Sequence, residues 1–270
     1  CGSTDPETEN PDLMANLGQA RAVRAYCYTV LAQLYQFPYS EATKDLPCVP
    51  IVVENMSAER QAANPRATVQ EVYDLIMSDL NYAVTALEGW SRADKGAADQ
   101  AVAYGLRARA NMLLGNYAEA AEDAAAAIQV SGAQPYTLAE VSKPTFCHAE
   151  ANSVIWANMI VESNDVVQTG IINWPSHMSS LYTDGYTGVG TYREISSELY
   201  SKISPTDVRK GWWKYEALAD GKTKGYQQYK RKDDRRNHKT HRTENIAIHG
   251  REMHIHHPHS LRRVILEQYM

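Results

Sequence analysis

The sequence predicts a mainly α-helical protein in which helical hairpins stack on one another, followed by a loop-rich, irregular portion that carries short strands. Three observations favour this fold class. Apolar residues recur every third or fourth position along two long segments. Two further helical patterns meet at a short link formed by Gly115 and Asn116. After Gly132 the helical periodicity gives way to stretches rich in Gly, Ser, Thr, Tyr and Trp.

The first long helix is predicted from an apolar stripe and should end near Phe37 and Pro38. The residues of this stripe follow one another at helical spacing: Ala20, Val23, Cys27, Val30 and Leu34. The connection after the helix, residues 38–67, contains four prolines. We therefore expect a long linker around a short extended run from Val49 to Val53.

A second helix is predicted to begin at Thr68, because the four residues from Thr68 to Glu71 match a capping box. In that motif the threonine hydroxyl and the glutamate carboxylate each satisfy a backbone N–H group that the helix start leaves unpaired. The apolar stripe of this helix consists of Val72, Ile76, Leu80, Ala83 and Leu87. The two long helices should form a loose hairpin with the proline-rich connection inserted between them.

Residues 101–130 resemble a tetratricopeptide hairpin, a unit of two antiparallel helices. Gly115 can adopt the left-handed conformation that ends a helix without steric cost. The resemblance rests on small residues and turn residues: Ala108, Gly115, Tyr117, Glu119, Ala120, Ala127 and Ile128. One hairpin cannot bury its own apolar face, so we expect neighbouring hairpins to stack.

The loop-rich portion contains the candidate ligand-binding residues. Residues 153–163 are predicted to be extended and residues 196–203 to form a short helix, with an aromatic loop region at 171–195 between them. Flat rings in this region can stack on sugar rings, while hydroxyl and carboxylate groups can hydrogen-bond to sugar hydroxyls. The candidates are Trp174, Tyr182, Asp184, Tyr186 and Tyr192. The alternative is that the rings pack the loop against the scaffold.

Two other clusters have simpler interpretations. Trp212 and Trp213 are adjacent and point in different directions, so we expect one in the core and the other partly exposed. The tail contains four closely spaced histidines with the ligand chemistry for a transition metal: His254, His256, His257 and His259. Pro258 interrupts any regular face there, so we interpret metal binding by this cluster as adventitious and predict no metal site.

The charge distribution argues against nucleic acid as a partner. Residues 1–229 hold 17 Lys/Arg against 27 Asp/Glu, whereas residues 230–270 hold ten against five. An acidic body repels phosphate groups. No stretch of the sequence approaches the roughly 18 consecutive apolar residues of a membrane-spanning helix.

Motifs for catalysis and for cofactor binding are absent from the sequence. It contains no Gly-rich phosphate loop, no Gly-x-Ser-x-Gly elbow and no His-Glu-x-x-His helix. We therefore predict a protein that is not an enzyme and has no cofactor. The cysteines lack the close pairs typical of zinc sites, and we predict no disulfide framework among Cys1, Cys27, Cys48 and Cys147.

The order of these segments resembles the SusD/RagB family of outer-membrane lipoproteins from Bacteroidetes. The resemblance runs almost continuously from Leu17 to about Tyr229. The matching segments are LGQARAVRAYCYTVLAQLYQ (17–36), PCVPIVVE (47–54), TVQEVYDLIMSDLNYAV (68–84), GNYAEAAEDA (115–124), VIWANM (154–159), SHMSSLYTDGYTGVG (176–190) and LYSKISPTDVRKGWW (199–213). The resemblance implies a tetratricopeptide-like scaffold that captures oligosaccharides or polysaccharides at the cell surface. It also implies delivery of the glycan to a SusC-like TonB-dependent transporter in the outer membrane.

The same resemblance implies a lipid on an N-terminal cysteine, for which Cys1 is the candidate. Cys1 is followed by Gly2, Ser3 and an acidic stretch, as is typical of the start of a mature lipoprotein. The segment also fits an internal position that precedes the first helix in this family. Both interpretations of Cys1 stay open.

The chain is predicted to comprise four segments. Residues 1–16 form a polar tether or loop, residues 17–131 the tetratricopeptide-like region, and residues 132–229 the loop-rich, ligand-facing region. Residues 230–270 form a basic, His-rich tail that we interpret as disordered or out of frame. Family members have a substantial region before the first of these helices and finish with further helices and loops, so the chain departs from the family pattern at both ends.

Two rival functions stay open from the sequence. The hairpin at 101–130 alone would suit an intracellular tetratricopeptide adaptor that binds peptides in a helical groove. A glycoside hydrolase is the weaker rival, because the separation of two catalytic carboxylates is a three-dimensional quantity that spacing does not reveal.

Overall fold

The chain is mainly helical, as predicted from the sequence, and its residues fall into two compact units. The computed structural model describes residues 9–54, 56–141, 149–159, 194–217, 224–228 and 248–249. One unit comprises Cys1–Ala133 with Ile248–Met270, and the other comprises Gln134–Ala247. Among the described residues, none of the helices combines the length and the apolar character that a membrane span requires.

The first unit contains two stacked helical hairpins. Its helices are α1 (Pro11–Tyr35), α2 (Ala58–Ala62), α3 (Val69–Ala86), α4 (Gln100–Leu114) and α5 (Tyr117–Ser131). Helix α1 packs against α3, α3 against α4, and α4 against α5. Each hairpin therefore covers an apolar face of the next, which confirms the predicted stacking.

Helix α1 begins at Pro11, inside the segment predicted to be a tether. The side-chain oxygen of Asn10 accepts hydrogen bonds from the backbone N–H groups of Asp12 and Leu13, at 3.0 and 3.2 Å. Proline follows directly in the first turn, where its missing N–H group costs nothing. An Asn-Pro helix start is a recognised local signal, and it places the boundary earlier than the apolar stripe does.

The face that α1 buries is not the predicted one. Its inward residues are mostly small: Ala15, Leu17, Gly18, Ala22, Ala25, Tyr28 and Ala32. The predicted stripe was wrong, because Ala20 is half-buried and the other four residues are exposed: Val23, Cys27, Val30 and Leu34. The small residues let α3 approach closely; a Cβ atom on Gly18 would lie only 3.1 Å from the Cβ atom of Ala86. The close approach of α1 to α3 therefore determines which of the two apolar faces of α1 is buried.

The predictions for α3 and for the α4–α5 hairpin are confirmed. Thr68 caps α3, its hydroxyl oxygen accepts from the backbone N–H of Glu71 at 3.2 Å, and the Glu71 carboxylate accepts from the backbone N–H of Thr68 at 2.7 Å. All five residues of the predicted α3 stripe are buried. Gly115 ends α4 with a φ of 83°, in the left-handed region, and α5 begins two residues later at Tyr117.

The connection between α1 and α3 contains no strand at the predicted run from Val49 to Val53. A backbone hydrogen bond from Ala67 to the carbonyl of Val49, at 3.1 Å, and two side chains fix this run instead. The backbone N–H of Val52 donates to the Tyr28 hydroxyl at 2.8 Å, and the Asn64 amide donates to the carbonyl of Ile51 at 2.7 Å. The run is ordered without becoming part of a sheet.

The second unit contains short helices and short strands. Its elements are α6 (Leu138–Val141), β1 (Val154–Trp156), β2 (Glu194–Ile195), α7 (Ser197–Lys202), a 3-10 helix (Val208–Trp212), β3 (Trp213–Ala217) and β4 (Lys224–Gln228). A last strand, β5 (Ile248–His249), belongs to the first unit. Strands β2, β4 and β3 form an antiparallel sheet in that order. The predicted helix at 196–203 is confirmed by α7, and the predicted extended segment at 153–163 is confirmed over β1.

Candidate functional site

The residues predicted from the sequence to bind glycan lie outside the described residues. These are Trp174, Tyr182, Asp184, Tyr186 and Tyr192, and the same holds for the candidate lipidation residue Cys1. They therefore stay predictions. The described chain resumes at Glu194, within the last two residues of the aromatic loop region, and continues into the sheet that follows it.

A group of aromatic side chains lies on the sheet that follows the loop. In the antiparallel register, Tyr226 of β4 is opposite Tyr215 of β3 on one side and Ile195 of β2 on the other. Directly opposed residues project from the same face of a sheet. The sheet therefore presents a row of Ile195, Tyr226 and Tyr215 across its three strands.

Helix α7 adds a third tyrosine to this row. The ring of Tyr200 stacks on that of Tyr226, with centroids 3.9 Å apart and planes 22° apart. The Tyr215 ring is tilted by 56° against Tyr226, with centroids 5.1 Å apart. We call Tyr200, Tyr215 and Tyr226 the tyrosine cluster. Tyr200 and Tyr226 are half-buried, whereas Tyr215 keeps 60% of its surface exposed.

A lysine completes the cluster at its α7 end. The Lys210 ammonium lies 5.0 Å from the centroid of the Tyr200 ring, within the range of a cation–π interaction. It also donates a hydrogen bond to the carbonyl of Ile203 at 2.9 Å. The cluster therefore runs from a fixed cation through two half-buried rings to one exposed ring.

Local capping places the two short helices that carry Tyr200 and Lys210. The Ser196 hydroxyl accepts from the backbone N–H of Leu199 at 3.1 Å and starts α7. Asp207 starts the 3-10 helix by accepting from the backbone N–H of Arg209 at 2.9 Å. The Arg209 side chain also binds this carboxylate at 2.7 Å and holds the pKa of Asp207 below its ordinary value.

The adjacent tryptophans have a structural role. Both Trp212 and Trp213 are half-buried, so the prediction that one of them lies in the core was wrong. The Trp212 indole N–H donates to the carbonyl of Val141 at 2.5 Å, which ties the 3-10 helix to the end of α6. Because the indole N–H needs a hydrogen-bond acceptor, the Trp212 ring stays beside the backbone of α6 and does not enter the core.

The tyrosine cluster was missed by sequence reasoning, although a weak signal for it exists. Trp213 and Tyr215 alternate with the polar residues Lys214 and Glu216, as in a half-buried strand. The pairing partners are separated by a loop, and Tyr200 is separate from both strands. Only tertiary structure brings the three rings together.

The first unit contains a different kind of site, a charged network that joins α1 to α3. Arg24 donates two hydrogen bonds to the carboxylate of Asp79, both at 2.7 Å, and Asp79 is only 1% exposed. The guanidinium of Arg24 also lies 2.9 Å from the Glu54 carboxylate. Hydrogen bonding to Asp79 raises the pKa of Arg24 above its ordinary value despite partial burial. We assign this network a structural role, because its charges are paired with one another.

The second hairpin repeats this arrangement. Arg107 of α4 donates to both carboxylate oxygens of Asp123 on α5, at 2.9 and 2.6 Å. The Asn111 amide donates a third hydrogen bond to Asp123 at 3.0 Å. Each hairpin therefore has an arginine on its first helix that clasps a buried aspartate on its second helix.

Comparison with known proteins finds a family that part of this chain resembles. Residues 3–112 match the model of a SusD-like family described as starch-binding, associating with outer membrane. Over these residues the chain resembles SusD-like proteins. The resemblance predicted from the order of its segments is therefore confirmed, and the matching family is described as binding starch and associating with the outer membrane.

Solved structures of SusD-like proteins share the fold of this chain. A SusD-like carbohydrate binding protein from Bacteroides vulgatus has a TM-score of 0.72 at 19% identity, covering 92% of this chain and 51% of its own. A SusD superfamily protein from Bacteroides thetaiotaomicron has a TM-score of 0.70 at 20% identity, with 93% and 55% covered. Another from Bacteroides vulgatus has a TM-score of 0.70 at 18% identity, with 97% and 59% covered.

The chain thus spans between half and three fifths of the length of these solved structures. None of the curated proteins matches its sequence. At these identities the structural similarity establishes the fold of the chain and no more.

Proposed function

We propose that this SusD-like chain captures oligosaccharides or polysaccharides at the cell surface without cleaving them. The observation that carries the proposal is the match of residues 3–112 to a family described as starch-binding, associating with outer membrane. The fold supports it, since one solved structure that shares this fold is described as a SusD-like carbohydrate binding protein.

Capture is an equilibrium process that needs stacking and hydrogen bonding but no covalent step. The predicted contacts are Trp174, Tyr182, Tyr186 and Tyr192, whose rings offer apolar faces to sugar rings, and Asp184, which accepts from sugar hydroxyls. Selectivity among glycans would then come from the shape of the loop at 171–195.

Isothermal titration against maltoheptaose and a panel of plant, microbial and host glycans tests the proposal. We expect at least one glycan to bind, and its affinity to fall when Trp174, Tyr182 and Tyr186 are each replaced by Ala. Tyr117→Ala is the control, because this tyrosine is 51% exposed at the start of α5 and belongs to no proposed contact. A wild-type chain that binds no member of the panel contradicts the proposal.

We further propose that the intact protein delivers its glycan to a SusC-like TonB-dependent transporter and is held at the outer membrane by a lipid on Cys1. Affinity purification of the intact gene product from detergent-extracted outer membranes should recover a TonB-dependent transporter. Recovery of the protein from the cytoplasm would instead favour the tetratricopeptide adaptor. Release of shorter oligosaccharides during incubation would favour the hydrolase.

A further inference from the structure

One member of the tyrosine cluster, Tyr215, is more exposed than its role in packing requires. Tyr200 and Tyr226 stack at 3.9 Å and are half-buried, which suffices to hold α7 against the sheet. Tyr215 adds a tilted ring contact, with centroids 5.1 Å apart, but leaves 60% of its surface in water. A large aromatic surface is thus held in place and left uncovered within the described residues.

We propose that Tyr215 is a stacking platform for one pyranose ring of a captured glycan, a contact separate from the aromatic loop at 171–195. This inference rests on the proposed function. Tyr215 is paired with Tyr226 across the two strands, and Tyr226 stacks on Tyr200. These contacts fix the exposed ring before any ligand binds. Binding therefore does not have to order this side chain, which removes a cost that a mobile ring would carry.

The chemistry around the ring suits a sugar. A pyranose has an apolar face that matches one aromatic ring and a rim of hydroxyls that needs polar partners. The phenol hydroxyl of Tyr215 supplies a group that can both donate and accept.

The size of the surface favours a sugar ring over a protein partner. A stable protein interface buries about 800 Å² on each partner, far more than a single phenol ring provides. One pyranose ring, in contrast, covers about one aromatic ring. The platform is therefore suited to add affinity to a glycan whose other residues bind elsewhere.

The test uses the full chain and the first glycan that binds it, beginning with maltoheptaose. Tyr215→Ala should weaken binding at least about fivefold, the loss expected when one aromatic contact is removed. Tyr215→Phe should retain most of the affinity, because it keeps the ring and loses only the hydroxyl group. The matched control is Tyr35→Ala, since Tyr35 on α1 is 64% exposed and should leave affinity unchanged.

Hydroxyl-radical footprinting with mass spectrometry supplies a second readout that does not depend on a variant. Saturating glycan should protect the peptide that contains Tyr215 and leave the peptide that contains Tyr35 unprotected. If a glycan binds but Tyr215→Ala behaves like Tyr35→Ala and Tyr215 is not protected, the platform is wrong while the proposed function stands. If the wild type binds no glycan, both are wrong.

Discussion

At the scale of single residues, one buried carboxylate in each hairpin determines how its two helices are held together. Asp79 and Asp123 are 1% and 5% exposed, and each is clasped by an arginine from the other helix of its hairpin. Taking a carboxylate out of water is costly unless hydrogen-bonded charge replaces the lost hydration. These arginines therefore act mainly by preventing an unpaired buried charge.

Replacing Arg24 with Met should expose this dependence. We expect the free energy of unfolding to fall by about 2–3 kcal/mol, because Asp79 would be left buried without its main partner. This loss of unfolding free energy should be smaller than for a completely unpaired carboxylate, because Arg21 lies 4.0 Å from Asp79 and partly replaces the lost charge. Urea denaturation followed by circular dichroism measures it.

The control for Arg24→Met is Lys44→Met, which breaks the exposed ion pair with Glu41 and should change the unfolding free energy by less than about 1 kcal/mol. The double variant Arg24→Met/Asp79→Leu should lose less than the sum of its single variants, because no charge is left unpaired. Equal losses in Arg24→Met and Lys44→Met would mean that the clasp adds nothing.

At the scale of elements, helix α1 shows that size can matter more than hydrophobicity. Its buried face contains Gly18, Ala22 and Ala25, whereas the larger Val23 and Val30 face outward. Small residues allow two helix backbones to approach, and many close backbone and methyl contacts then replace a few large side chains. The stability of this hairpin should therefore depend on the absence of bulk at the interface.

Adjacent substitutions on α1 test which face is packed. Ala22 is completely buried, so Ala22→Val should destabilise the protein by about 1–3 kcal/mol through overpacking. Val23 is 42% exposed, and Val23→Ala should change the unfolding free energy by no more than about 0.5 kcal/mol. Chemical denaturation of both variants decides, and a larger loss for Val23→Ala would restore the stripe predicted from the sequence.

The start of α3 should give stability a small pH dependence. Hydrogen bonds from the backbone N–H and the hydroxyl of Thr68 lower the pKa of Glu71 below its ordinary value of 4.5. A lowered folded pKa means that the contribution is present above the unfolded value and is lost as the pH falls through the folded value. The wild type should therefore exceed Glu71→Gln in unfolding free energy at neutral pH, and the difference should vanish in acid.

Urea titrations at a series of pH values measure this difference for Glu71→Gln. Glu88→Gln is the control, because Glu88 is exposed beyond the end of α3. Its difference from the wild type should not follow the same course. If the difference in unfolding free energy between the wild type and Glu71→Gln stays constant down to strongly acidic pH, the charge of Glu71 does not contribute to the cap.

At the scale of the whole molecule, the sequence predicted those parts whose signals are local. The capping residues Thr68 and Glu71 and the glycine turn at Gly115 each specify their geometry within a few positions, so α3 and the α4–α5 hairpin were predicted correctly. The buried face of α1 was not, since spacing alone could not choose between two apolar faces. The tyrosine cluster was not either, because strand pairing joins Tyr215 and Tyr226 across a loop.

The proposed attachment to the membrane concerns the whole molecule. The family that residues 3–112 match is described as associating with the outer membrane. Residues 1–229 hold 27 Asp/Glu against 17 Lys/Arg, a balance that does not favour attraction to anionic lipids. Two or more acyl chains on Cys1 would hold the protein stably.

In cells that produce the intact gene, Cys1→Ser should therefore move the protein from the membrane fraction to the soluble fraction, as immunoblotting after fractionation would show. Ser3→Ala, the control, should stay with the membrane. A Cys1→Ser protein that also stays there would exclude Cys1 as the lipid-bearing residue and favour its interpretation as an internal position.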